Sequence, residues 1–144
     1  MPDFEQRIAE SFARMGLMHT LGAELTYVMP GEVHIAVWPK PEITQHHGFV
    51  HAGALTAVAD TGCGYAAMTL GPEGHEVLTV EFKVNFLRPA TAERFVAKAT
   101  VVKPGRSLSV CQCDVVAHDG EKQLSVALMQ CTIMTVPPEL IPGG

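Results

Sequence analysis

Hydrophobic residues along this chain recur in two rhythms, and the switch between them outlines its architecture. Phe4, Ile8, Phe12 and Met15 fall three or four apart, which predicts an amphipathic helix over 3–15 with Asp3 as its N-cap. Strands are predicted over about 23–28 and 33–38, around the turn-forming Met29–Pro30–Gly31–Glu32. From His51 to Leu70 the apolar residues no longer keep to one face. Ala52, Ala54, Leu55, Ala57, Val58 and Ala59 are followed by Cys63, Tyr65, Ala66, Ala67 and Met68. A helix that is apolar all round is a buried helix. Gly71–Pro72–Glu73–Gly74 stops it.

Beyond that stop the period becomes two. Leu78, Val80, Phe82, Val84 and Phe86 alternate with Thr79, Glu81, Lys83 and Asn85, so 77–87 reads as a strand with one apolar face. Three more strands, 94–103, 107–118 and 123–135, are separated by Pro104–Gly105 and Asp119–Gly120. Short connections between consecutive strands predict an antiparallel sheet, and a helix apolar on every side has to be wrapped by it. The expected fold is α+β, one domain over 1–144. Gly62 and Gly64 weaken the helix locally, so each is expected where sheet or partner backbone comes very close.

Composition narrows the partners. A net charge of −5 argues against nucleic acid, which is held by clustered Lys and Arg. No charged, apolar-cored leader opens the sequence, and the apolar run from Phe49 to Leu70 carries His51, Asp60 and several Gly and Thr, a poor membrane span. Four cysteines without an export signal suggest reduced thiols and a cytoplasmic protein. Cys111 and Cys113 share a strand face but lack further ligands at suitable spacing, and His46, His47 and His51 have no carboxylate or cysteine nearby. No metal is expected. With 47% apolar and only 17% charged residues, the chain carries more apolar surface than a monomer needs, so an oligomer is expected.

The chemistry concentrates in Gln45–His46–His47–Gly48–Phe49–Val50–His51–Ala52–Gly53, a His- and Gly-rich entry to the apolar helix, and in Asp60, the one carboxylate on that helix. A helix N-terminus presents unpaired N–H groups that suit a developing oxyanion, here those of Ala52 and Gly53. Asp60 lies about 12–13 Å along the axis from His51 at 1.5 Å per residue, too far to act beside the donors of its own helix. No Gly-x-Ser-x-Gly elbow exists.

Over residues 45–89 the chain resembles the hotdog-fold acyl-CoA thioesterases of the PaaI (phenylacetate-pathway) type. Their signature is Asn, Gly, His-Gly-Gly and an Asp nine residues after the His. Gln45, Gly48, His51, Ala52–Gly53 and Asp60 occupy those positions, with Gln45 and Ala52 as departures, and the strand through Arg88–Pro89 resembles the family's strand after the helix. The resemblance implies a sheet wrapped around a central helix and hydrolysis of a small or medium acyl-CoA, aromatic ones included. It implies Asp60 as general base or nucleophile, Gln45 against the thioester or water, and Thr79 as a water-orienting hydroxyl. His51 braces the helix entry, and Arg88, Lys103 and Arg106 cluster at strand ends to hold coenzyme A phosphates. No cofactor is implied beyond the coenzyme A of the substrate. The site would be shared between subunits, with a homodimer as the minimal unit and a homotetramer as the expected assembly. Two other readings stand beside this one: a hotdog hydratase or dehydratase using His46 and Asp60, and a non-catalytic acyl-CoA-binding module.

Overall fold

A computed structural model describes residues 3–142. Two short helices, α1 (Asp3–Ala13) and α2 (Gly16–Leu21), precede the hairpin β1 (Glu24–Met29) and β2 (Glu32–Val37). The helix α3 (Ala52–Met68) follows, then β3 (Glu76–Phe86), β4 (Arg94–Lys103), β5 (Leu108–Asp119) and β6 (Lys122–Val136). One antiparallel sheet in the order β1-β2-β4-β5-β6-β3 curls around α3, which packs chiefly on β2, β3, β4, β5 and β6. This is the expected hotdog arrangement. Ten of the seventeen residues of α3 are buried, as its all-round apolar pattern requires.

The structure corrects the sequence reading at three places. The predicted helix over 3–15 ends at Ala13, and α2 begins at Gly16 as a separate turn and a half, closed by Gly22 in the left-handed conformation (φ 68°). Gly62 does lie at a close approach, because a Cβ there would sit 3.1 Å from the Cβ of Ala99 on β4. Gly64 does not approach the sheet so closely: its nearest neighbour within the chain, the Val77 side chain, would be at an ordinary 3.6 Å.

The third correction concerns β3. Its pairing with β6 passes from Thr79↔Ile133 to Glu81↔Thr132, leaving Val80 as the extra residue of a β-bulge. An extra residue reverses which side chains face the helix. Before the bulge, Thr79 reaches Asp60 on α3; after it, Phe82 and Val84 stand opposite the buried Cys131 and Met129. Leu78 therefore does not share a face with Phe82, Val84 and Phe86. As an edge strand β3 also has no partner on its outer side, and Leu78, Val80, Phe82 and Phe86 are each 44–52% exposed.

Under the sheet, Cys63 of α3, Cys111 and Cys113 of β5 and Cys131 of β6 are all buried and free, with Cys111 directly opposite Cys131. Hydrogen bonding to Cys113 and Cys131, together with burial, pushes the Cys63 thiol up, and Cys111 shifts the same way, whereas the hydrogen bonds from Cys111 and Cys63 lower the Cys131 thiol.

Candidate active site

The entry to α3 is held by backbone pairing on both sides. The Gln45 N–H donates to the Phe49 carbonyl (2.8 Å) and the Gly48 N–H to the Gln45 carbonyl (2.9 Å). The chain turns back at Gly48, whose φ of +87° suits a residue without a side chain. The Val50 N–H then donates to Ala90 and the His51 N–H to Ile43, both at 2.8–2.9 Å. This short loop fixes Gln45 and the start of α3 relative to the end of β3.

Within that frame the Gln45 side-chain carbonyl accepts from the His47 backbone N–H. A backbone donor demands an oxygen acceptor, so the Gln45 amide NH₂ is the end left to face a ligand. His51 is the N-cap of α3, and its Nδ1 accepts from the Gly53 N–H at 2.7 Å. The N–H groups of Ala54 and Leu55 donate to the His51 carbonyl. Among the described residues the Ala52 N–H has no partner. The two expected oxyanion donors therefore differ: Ala52 is free, whereas Gly53 is occupied by the His51 ring. The Ala at 52 carries no backbone strain, since no residue other than glycine has a positive φ.

A cleft of about 270 Å³ opens at this point and brings together Gln45, His51, Ala52, Phe86 and Arg88. Phe86 and Leu55, which carry part of its apolar wall, escaped the sequence reading because wall residues bear no distinguishing chemistry. On the other side of the helix entry a second cleft of about 280 Å³ is lined by Leu17, Leu21, Ile43, Gly53, Ala54 and Ala57, among others. His51 lines both clefts.

Asp60 sits two and a half turns further on, roughly 13 Å from His51 along the helix, half-buried. Thr79 Oγ1 donates to its Oδ1 at 2.7 Å, and Oδ2 has no protein partner among the described residues. Burial raises the Asp60 carboxyl above its ordinary range, against the smaller opposing effect of the Thr79 hydrogen bond. Thr79 thus spends its hydroxyl proton on Asp60, leaving its oxygen lone pairs to receive from water.

The expected cluster of cations does not form within one chain. Arg88 stands beside Gln45 at the N-terminal end of α3, with Nη1 donating to the Ser125 carbonyl. Arg106 lines a separate cleft with Ala67 and Leu70 at the opposite end of that helix, and Lys103 Nζ approaches the Pro104 carbonyl at 3.5 Å beside it. The two ends lie roughly 22 Å apart along the helix axis. Strand ends look alike in sequence, whereas antiparallel topology sends them to opposite edges. His46 does not join Asp60 either; its ring packs on His47, 4.0 Å between centroids, in the exposed turn.

The model of the thioesterase superfamily matches residues 47–123, which hold α3, Asp60 and most of the sheet. The chain belongs to this superfamily. A crystal structure of a thioesterase family protein from Silicibacter pomeroyi is 45% identical, covers 93% of this chain and 98% of its own, and superposes with a TM-score of 0.90. The phenylacetic acid degradation protein PaaI of Thermus thermophilus is 27% identical over 83% of this thioesterase and 98% of that chain, with a TM-score of 0.73. The medium/long-chain acyl-CoA thioesterase YigI of Escherichia coli is 22% identical over 143 residues, covering 88% of this chain and 90% of that one. The protein is accordingly a PaaI-like hotdog enzyme of the thioester-hydrolase class. No helix among the described residues is long and apolar enough to cross a membrane.

Proposed function

We propose that this thioesterase hydrolyses acyl-CoA at a site shared across a homodimer. Gln45 and Ala52 of one subunit polarise the thioester carbonyl, and Asp60 of the other acts on the attacking water. The observation that carries this reading is the separation of a free, preorganised donor at Ala52 from the carboxylate of Asp60 by half the length of α3, roughly 12 Å along its axis. One subunit holds both halves of the machinery and cannot bring them to a single carbon.

The edge strand β3 supports the remedy. Its outer hydrogen-bonding edge and its exposed Leu78, Val80, Phe82 and Phe86 suit antiparallel pairing with the same strand of a second copy. A two-fold axis near the middle of β3 carries the start of the partner's α3 towards Asp60, because each α3 returns antiparallel along its own β3.

In the resulting site the carbonyl oxygen accepts from the Ala52 N–H and the Gln45 amide as charge develops on it. Asp60, held by Thr79 on one oxygen, uses the other to take a proton from water. The thiolate of coenzyme A leaves. Attack by the carboxylate itself, through an anhydride that water later opens, uses the same atoms. Arg88 lies on the coenzyme side of the Gln45 cleft and is the cation best placed for a coenzyme phosphate.

Asp60→Asn is expected to lower acyl-CoA turnover by on the order of 10²–10⁴, the range for loss of a general base. Complementation tests the sharing. Chains bearing Asp60→Asn and chains bearing Gln45→Ala, each inactive alone, should recover about a quarter of wild-type activity when mixed and reassembled, since half the dimers are mixed and each regains one intact site. No recovery in verified mixed dimers would place both groups in a single chain's site and end the shared model.

A further inference from the structure

We infer that the α2-side cleft is the acyl pocket and that α2 sets the acyl length, admitting a straight chain of about nine carbons; this rests on the acyl-CoA reading above. The starting point is that two clefts diverge from one ridge. His51 lines both, so the thioester at the Ala52 N–H stands where they meet. Acyl-CoA is itself divided at that bond into an apolar acyl arm and a polar, anionic coenzyme arm. Both clefts have apolar walls, but the one holding Gln45 also holds a cation, Arg88, and so suits the anionic end of the coenzyme arm. The other is built from Leu17, Leu21, Ile43, Ala54 and Ala57, with Glu42 and Thr44 beside them and no cation among its lining residues.

Three features suit this open groove to an acyl chain. Ala54 and Ala57 give α3 a floor without bulk, next to Gly53, which has no side chain at all. Leu21 and Ile43 are buried and fixed in the core, so two of the walls are rigid. Leu17 is 53% exposed and projects from a six-residue helix that closes in a left-handed glycine cap. A leucine in that position gains cover when an acyl chain lies beneath it. The cleft's 280 Å³ holds about nine methylene-sized groups if each needs the ~30 Å³ that a water molecule claims in the liquid. Beyond that length the chain would have to pass Leu17 into solvent.

The test is a chain-length series from acetyl- to palmitoyl-CoA, with phenylacetyl-CoA alongside, read as kcat/KM from thiol release. The wild type should gain up to about fourfold per added methylene, with a plateau or decline past roughly ten carbons. Ala57→Phe fills the floor and should lower the octanoyl-to-acetyl ratio of kcat/KM at least tenfold, moving the optimum to shorter chains. Leu17→Gln, at an exposed position where folding is not threatened, should lower the same ratio by about fourfold or more. If acetyl- and octanoyl-CoA are both cleaved but neither variant changes their ratio, the pocket assignment is overturned while the hydrolase reading stands. Preference for phenylacetyl-CoA over every straight chain overturns the substrate class. A wild type that cleaves no member of the series overturns the proposal through the reading it rests on.

Discussion

At the scale of single residues, Asp60 is costly to the fold, a cost that its proposed role on the attacking water would account for. Because burial raises its carboxyl above the ordinary range, the folded chain keeps that proton to higher pH than the unfolded chain does. Stability linked to this group is therefore present at low pH and is lost as pH rises through the raised value. At neutral pH the ionised carboxylate opposes folding. Asp60→Asn keeps an oxygen for the Thr79 hydroxyl and removes the charge, so it should melt at a higher temperature than wild type at pH 7, by calorimetry, with the gain shrinking as pH falls towards 4. An unchanged difference across that range would refute the linkage. The inactive variant being the more stable one is the usual signature of a strained functional group. His51 shows a similar economy, since its ring closes the helix entry by taking the Gly53 N–H and leaves Ala52 alone as the free donor.

Elements differ in how plainly the sequence announces them. The buried helix α3 was legible from its all-round apolar pattern, and so was its stop at the Gly71–Pro72 turn. So were the strands after it, to within a residue or two. The bulge at Val80 was not, because an inserted residue leaves a strict alternation of residue types intact while reversing their faces. The break between α1 and α2 was hidden for a related reason: Phe12 and Met15 continue the helical spacing across it. Close approach was legible in kind and not in place. Both helix glycines pointed to it, and only Gly62 presses on the sheet. The two should therefore diverge under substitution. Gly62→Leu must push Ala99 and Ile35 aside and should destabilise by about 1–3 kcal/mol or more. Gly64→Ala meets only ordinary contact and should stabilise by up to about 1 kcal/mol through helix propensity. Urea midpoints at constant m-value would read both.

For the whole molecule, the candidate site was legible only in part. The loop from Gln45 to Gly53 and the acid at Asp60 could be named from residue types and spacing. The separation of Arg88 from Lys103 and Arg106 could not, because it depends on which edge of the sheet each strand end reaches. Nor could the two-cleft division, which needs α2 folded against α3. The proposed assembly would tie these parts together, and it rests on β3. Val80→Lys puts a charge at the exposed bulge of the edge strand, where lysine is a natural guard against pairing. It should give a particle of one 15.5 kDa chain by light scattering, with native circular dichroism and no hydrolysis. A variant monomer that retains full turnover would show that one chain suffices.

The position of β3 in the chain also bears on when the proposed dimer can form. It is made before three of the other strands, yet its only neighbour in the sheet is the last strand, β6. The hairpins β1–β2, β4–β5 and β5–β6 close across short turns, whereas pairs such as Glu76↔Val136 span most of the second half of the chain. Contacts so distant in sequence form late, after the local ones have lowered the entropy of closing the loop. Until β6 leaves the ribosome, β3 has no sheet to join, and its apolar residues must wait exposed. The edge proposed to meet a second subunit is therefore ready only once β6 has joined the sheet, so pairing of two copies is expected to follow closure of the β3–β6 ladder.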